Sequence, residues 1–242
     1  MAVWSEVNLK NTVFHQRIDS EFFQPENERL MNTLFQTKSV SNFGKFITVL
    51  TDGKHGGVTY TPAGVLFIRN RNIKNGFLDL NDNKYISKIE SDESKRAELE
   101  PLDIVITTIG TLGESAIVPE DIPLSTINQN LVRIKLKDID PYYISIFLLT
   151  AYGRRQVCRL ATGNVQPIIV YPNLKKVFIY QASKEKQIEI RKIFEHSYRL
   201  KKHSKSLYTQ AQQLLEHELG LDKLKFEKPV GYETSFSEVV NN

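Results

Sequence analysis

Cysteine is almost absent from this chain. Cys158 is the only one among 242 residues, so no intrachain disulfide can form, and a reducing compartment, the cytoplasm, is expected. Long apolar runs are absent too. None approaches the roughly 18 residues that a spanning helix needs, which argues against a membrane partner. Met1 to Lys10 lacks a basic stretch followed by an apolar one, the mark of a secretory signal. No Walker A sequence is present, and no glycine-rich cofactor loop follows a strand, so neither an ATP motor nor any bound cofactor is expected.

Catalytic constellations are equally scarce. A methyltransferase acting on DNA amines needs an Asn/Asp-Pro-Pro-aromatic string. The nearest is Asp140-Pro141-Tyr142-Tyr143, which lacks the second proline and reads as a helix start. His15, His55, His196, His203 and His217 are scattered, and none has a histidine four residues on, so no metal site is expected. Cys158 lies beside Val157 and near Leu160 in a predicted helix and reads as a core thiol. Only Asp103 and Glu114, on either side of a glycine turn, are placed so that a hairpin could bring two carboxylates near each other, as a small nuclease would require.

The formal charge is +4. Lys184 to Lys228 holds 11 Lys+Arg and 7 Asp+Glu, so that stretch alone accounts for +4 and the remainder sums to zero. Net charge therefore does not make the first 183 residues a nucleic-acid binder.

What is present is a succession of short apolar runs broken by turn residues. Glu26 to Gln36 carries Leu30, Leu34 and Phe35 at helical spacing. Phe46 to Leu50 and Val65 to Arg69 read as strands, with turn signals at Thr51-Asp52-Gly53 and Asn75-Gly76. Asp92 to Leu99 reads as a brief helix ended before Pro101. Asp103 to Thr108 and Ser115 to Val118 are strand-like and flank Gly110-Thr111-Leu112-Gly113. Leu131 to Leu136 alternates Val132, Ile134 and Leu136 with Arg133 and Lys135, a half-buried pattern with the basic residues outward. Helices follow from Pro141 to Thr150 and from Arg154 to Leu160, then a strand from Val177 to Tyr180.

From Ser183, a candidate N-cap, to Leu219 no proline or glycine interrupts, and Gly220 is placed as a C-cap. Ile193, Leu200, Leu207, Leu214 and Leu221 recur at heptad spacing, with Ile190, Ser197, Ser204 and Ala211 along the partner seam. Such a helix either packs on its own domain or pairs with another long helix. At 1.5 Å per residue it runs to roughly 54 Å, which favours pairing. Finally, Trp4-Ser5-Glu6-Val7 returns as Phe236-Ser237-Glu238-Val239, which reads as one repeat unit followed by the start of a second.

Together these features resemble the DNA specificity subunit of type I restriction-modification systems. The residues that carry the resemblance are Trp4-Ser5-Glu6-Val7, then Arg17-Ile18-Asp19 and Phe22-Phe23. They continue with Asp103-Ile104-Val105-Ile106 leading to Gly110-Thr111-Leu112-Gly113 and Ala116, then Asn128-Gln129. Thr162-Gly163 before Gln166 and Glu185-Lys186-Gln187-Ile188 opening the long helix complete the set. The resemblance implies an α+β fold, with a mixed small-sheet globular target-recognition domain followed by one long coiled-coil-type helix. The implied divisions are a DNA-reading domain over 1–183, a spacer and dimerisation helix over 184–222, and a linker with the start of a second repeat over 223–242. It also implies a non-catalytic subunit that directs methyltransferase subunits, and in some systems a motor-nuclease subunit, to double-stranded DNA. A lone half is expected to form a homodimer through the seam of Ile190, Ile193, Leu200, Leu207, Ala211 and Leu214. The rival readings are a helix-mediated interaction module without DNA binding and a small metal-dependent nuclease.

Base edges are read by arginine, asparagine and glutamine. The candidate contacts are Lys54, His55 and Gly57 in a basic glycine loop, and Arg69, Asn70, Arg71, Asn72 and Lys74 after a strand. Thr111, then Asn128, Gln129 and Asn130, and finally Asn164 and Gln166 complete the face. Arg69 and Arg71, two apart, would share one side of a strand.

Overall fold

The computed structural model describes residues 6–163 and 165–221 together with Leu224. Trp4, Ser5, Asn164 and the 236–239 motif lie outside the described residues, as does the 225–242 segment. The elements run α1 (Leu9–His15), α2 (Pro25–Gln36), β1 (Val40–Asn42), β2 (Ile47–Asp52), β3 (Val65–Ile68), β4 (Ile73–Lys74), β5 (Phe77–Leu78), β6 (Tyr85–Ile86) and α3 (Lys88–Asp92). They continue as β7 (Ile104–Thr107), β8 (Ser115–Ile117), β9 (Ser125–Ile127), β10 (Leu131–Leu136), α4 (Pro141–Leu149), α5 (Ala151–Arg159), β11 (Phe178–Tyr180) and α6 (Lys184–Glu218). This is an α+β fold of small sheets ending in a long helix.

A four-stranded antiparallel sheet, β2-β10-β7-β8, lies between two apolar clusters. Successive strand residues point to opposite faces, so one strand can feed both. Ile104 and Ile106 of β7 join Val132 and Ile134 of β10 in the cluster with α4 and α5. Val105 and Leu131 point the other way, toward Leu66 and Ile68 of β3 and Ile127 of β9. β3 and β9 are parallel partners in a second sheet, β6-β3-β9, with Leu66 opposite Ser125 and Ile68 opposite Ile127.

This layering overturns the outward placement of Arg133. The first four residues of β10 are buried on both faces, and Arg133 is 6% exposed. Its Nε donates to Asp103 Oδ2 at 2.6 Å and its Nη2 to Glu100 Oε1 at 2.6 Å. A buried guanidinium persists only when paired. The register of the β7–β8 hairpin separates the carboxylates that a nuclease would have needed together. Asp103 precedes β7 and pairs with Val118 across the hairpin, whereas Glu114 meets Thr107 at its far end and binds Arg154. Cys158, expected in the core, is exposed. Val157 takes the inward position on α5, and the next residue is turned about 100° away.

Asp140 Oδ1 accepts from Tyr142 N and Tyr143 N, which fixes the start of α4. Tyr143 donates its hydroxyl to Tyr180 O at 2.6 Å, and burial pushes its phenol up to about 12. α5 crosses the end of α4 at Gly153, where a Cβ would lie 2.2 Å from Phe147 O. Gly153→Ala therefore pits a helix-propensity gain of about 1 kcal/mol against a backbone collision costing about 1–3 kcal/mol or more. The collision is expected to win, and thermal unfolding of the variant at a lower temperature than wild type checks it.

The residues up to Phe194 form one compact unit and those from Glu195 another. The first turns of α6 belong to the former. Ser183 Oγ accepts from Lys186 N at 3.4 Å at the helix start. Ile190, placed in the seam by heptad spacing, packs on the domain's own core instead, and Phe194 stacks on Phe77 at 4.7 Å. Ile193, Leu200, Leu207 and Leu214 are half or more exposed, and Ala211 is exposed as well. At the far end Gly220 takes φ 69°, the left-handed conformation that ends a helix.

Candidate nucleic-acid interface

The loops that follow β3, β7 and β9 meet at one edge, held by backbone bonds that no local pattern announces. Lys54 N donates to Ile127 O at 2.9 Å, and Asn128 N donates to Ile68 O at 3.1 Å. Thr108 N donates to Asn130 O at 2.9 Å, and Ile169 N to Thr108 O at 2.9 Å. Asn70 Nδ2 reaches Ile109 O at 2.5 Å. Gly53, read from sequence only as a turn, makes the crossing possible. A Cβ there would lie 2.2 Å from both Ile127 O and Asn128 O.

Between the loops that follow β3 and β7 and the 79–82 segment lies an open cleft of about 680 Å³. Asn70, Arg71, Asn72, Lys74 and Thr111 line it, so five of the candidate contacts come together there. Positive φ at Gly110 (82°) and Gly113 (73°) shapes the turn that presents exposed Thr111. Thr107 braces the turn by donating to Thr111 O and accepting from Glu114 N.

The remaining lining is what sequence reasoning missed: Ile73, Asp79, Asn81, Asp82 and Glu114. The signal was present as an acidic, amide-rich stretch, Asp79 to Asn83, after the Asn75-Gly76 turn. Each cation of the cleft has a carboxylate partner. Lys74 Nζ is 2.6 Å from Asp79 Oδ2, and Arg71 Nη1 is 3.0 Å from Asp82 Oδ2. Arg154 Nη2 lies 2.6 Å from Glu114 Oε1.

Arg69 and Arg71 do not share a strand face. β3 ends at Ile68, and Asn70–Asn72 is a 3₁₀ turn. The Arg69 side chain is 14% exposed and the Arg71 side chain 67%, yet both reach Asp82. Arg69 Nη2 donates to Asp82 O at 2.9 Å, and its guanidinium lies 5.9 Å from the Tyr60 ring centroid. Asn72 is buried and serves the framework: Oδ1 accepts from Arg69 N, and Nδ2 donates to Asp79 O. Lys54 is buried too, with Nζ 2.6 Å from Glu93 Oε2, because an ammonium leaves water only with a partner.

His55 is exposed, with Nε2 2.5 Å from Asp52 Oδ2. Gly57 is exposed as well. Gln129 and Asn130 are half-buried beside Asn128, and Gln166 is exposed on the loop closed by Thr162 and Ile168. Buried Asn70 Oδ1 and Asn128 Oδ1 have no hydrogen-bond partner.

Amides, a hydroxyl, a mobile-length arginine and carboxylates around one cleft can both donate to and accept from a planar heteroaromatic edge. Arginine suits guanine, asparagine suits adenine, and carboxylates suit the cytosine amino group. The surface is poorly suited to simple phosphate gripping, since its cations are already neutralised. Among the described residues, no three His, Cys, Asp or Glu side chains gather as metal ligands would, and no helix is long and apolar enough to cross a membrane.

The model of the type I restriction modification DNA specificity domain matches residues 65–210, more than half of the chain. The chain belongs to this family. It is 30% identical over 129 residues to the type I restriction enzyme EcoBI specificity subunit of Escherichia coli, covering 52% of this chain and 27% of that protein. Among solved structures it is similar to the S subunit of the type I restriction-modification system from M. genitalium. That similarity has a TM-score of 0.50 and 13% identity over 75% of this chain and 45% of the other. The HsdS subunit from Thermoanaerobacter tengcongensis matches with a TM-score of 0.48 and 14% identity, over 79% of this chain and 47% of the other. The chain thus spans less than half the length of each of these three proteins. The matched 65–210 stretch includes the cleft loops and most of α6.

Proposed function

We propose that this chain is a sequence reader of double-stranded DNA that directs DNA methyltransferase subunits, and a restriction motor-nuclease where one is present, to a cytoplasmic target. The observation that carries this is one polar cleft lined by the 70–74 and 79–82 segments, Thr111 and Glu114, with the 128–130 loop bonded to Ile68 and Thr108 beside it, in a chain of the specificity-domain family. In this reading residues 1–183 recognise DNA, residues 184–222 form the spacer, and 223–242 lead toward a further repeat. No chemistry is assigned to the chain itself. Labelled methyl transfer from S-adenosylmethionine to DNA by the purified chain alone would contradict that assignment.

The exposed apolar seam of α6 supports a second element of the proposal, pairing of two copies through Ile193, Leu200, Leu207 and Leu214. An isologous pair presents two identical reading domains and so favours an inverted-repeat site.

Arg71 is the side chain best placed to read a base, being exposed at the cleft and held only by a surface ion pair. If it reads a guanine, Arg71→Ala is expected to weaken target binding by about 1–3 kcal/mol and to relax preference at one position. Arg69→Ala is expected to act through the framework, lowering the unfolding temperature as well as affinity. Competition binding against matched and singly mismatched duplexes checks both variants. Unchanged affinity and preference in Arg71→Ala would remove the cleft from the reading face.

A further inference from the structure

The cation best exposed at the cleft is already occupied in the free protein. Arg71 Nη1 lies 3.0 Å from Asp82 Oδ2, and both side chains are open to solvent. Asp82 is not needed in charged form to hold its own loop. Arg69 grips the backbone carbonyl of Asp82 at 2.9 Å, and Asn72 Nδ2 donates to Asp79 O at 2.8 Å within the same loop. Oδ2 of Asp82 also lies 3.2 Å from Arg69 Nη2, but the Arg69 side chain is only 14% exposed and keeps the Asp82 carbonyl without it, so at the exposed rim of the cleft the carboxylate's consequence is to neutralise Arg71.

We propose that Asp82 is a specificity-determining residue: its carboxylate competes with DNA phosphates for Arg71, so that non-target duplexes gain little from that arginine while a two-acceptor base edge displaces the carboxylate. This inference rests on the DNA-reading function proposed above. Its physical basis is counterion exchange. When a free arginine meets a phosphate, a cation condensed on DNA is released, and affinity falls with salt by about 0.9 in log–log slope per contact. When the arginine must first leave a carboxylate, that carboxylate acquires a counterion and the release is cancelled. A guanine edge offers O6 and N7 in the geometry of the guanidinium fork, which a single carboxylate oxygen at the cleft rim does not match.

The test uses the full-length chain and a short random-sequence duplex, so no knowledge of the target is required. Affinity is measured across a salt series for wild type, Asp82→Asn, Asp82→Glu and Arg71→Gln/Asp82→Asn. Asp82→Asn is expected to bind the random duplex about two- to fivefold more tightly at low salt, as expected for loss of one exposed ion pair. Its salt slope should steepen by about 0.9. Asp82→Glu should keep the wild-type slope, and the double variant should lose the gain. An unchanged slope in Asp82→Asn, or weaker binding by that variant while its thermal unfolding matches wild type, overturns the inference. Absence of any duplex binding by wild type overturns the DNA-reading function itself, which is a separate result.

Discussion

Arg133→Met is expected to cost about 3–5 kcal/mol of folding stability. The guanidinium is 7% exposed and the Asp103 carboxylate 0% exposed, with 2.6 Å between Nε and Oδ2. Methionine fills similar volume and leaves that carboxylate buried with only the Glu100 N–H as a partner. Glu100, at the surface, keeps Lys135. The pH dependence is also fixed in sign. Burial already pushes the Asp103 carboxyl up, against the pull of the Glu100 N–H and of Arg133. A folded-state value above the unfolded one means that stability is lost as pH rises through the folded value. Without Arg133 that value rises further, so the variant's deficit should be largest near neutrality and shrink toward the ordinary carboxylate range near pH ~4. Denaturant unfolding at several pH values measures this. An Arg133→Met/Asp103→Leu double variant should recover most of the loss, because an apolar pair needs no compensation. A deficit of less than about 1 kcal/mol, characteristic of surface pairs, would contradict the buried placement of β10.

Charging the α6 seam is expected to have the other large effect. Leu200 and Leu207 are 54% and 50% exposed in the single chain. In the proposed two-copy pairing both become buried. Leu200→Asp/Leu207→Asp would then place unpaired carboxylates in the dry seam, at about 2 kcal/mol or more apiece. The dimer dissociation constant should weaken by more than about a thousandfold. Sedimentation velocity should show dimeric wild type and monomeric variant with equal helix content by circular dichroism. A monomeric wild type at tens of micromolar, roughly, would remove the pairing from the account.

Much of the fold was legible because it obeys local rules. The alternation of Leu131 to Leu136 marked β10 to the residue, and the uninterrupted stretch after Ser183 marked α6. The same alternation misplaced Arg133. Period-2 patterning shows which residues share a face, but not that both faces are covered, and only the β3–β9 sheet and its cluster decide that. The strands β1, β6 and β9 are two or three residues long, too short for any period to show.

The cleft was half legible. Amides, cations and hydroxyls in loops signal recognition chemistry, and five of the candidates, Asn70, Arg71, Asn72, Lys74 and Thr111, do line it. Asp79 and Asp82 went unassigned, and Glu114 entered only as a nuclease carboxylate, because their meaning is relational. Asp82 matters through Arg69 and Arg71, and Glu114 through Arg154 on another element. Lys54 shows the converse, a basic loop residue whose charge is spent on Glu93.

The most direct test of the central claim is selection of bound duplexes from a random pool by the full-length chain, in parallel with Arg71→Ala. The account predicts enrichment of one defined sequence by wild type, arranged as an inverted repeat. In the variant, information should be lost at one position of each half-site while the other positions are retained. Recovery of duplexes with no common sequence, or identical enriched sequences for both proteins, would contradict it.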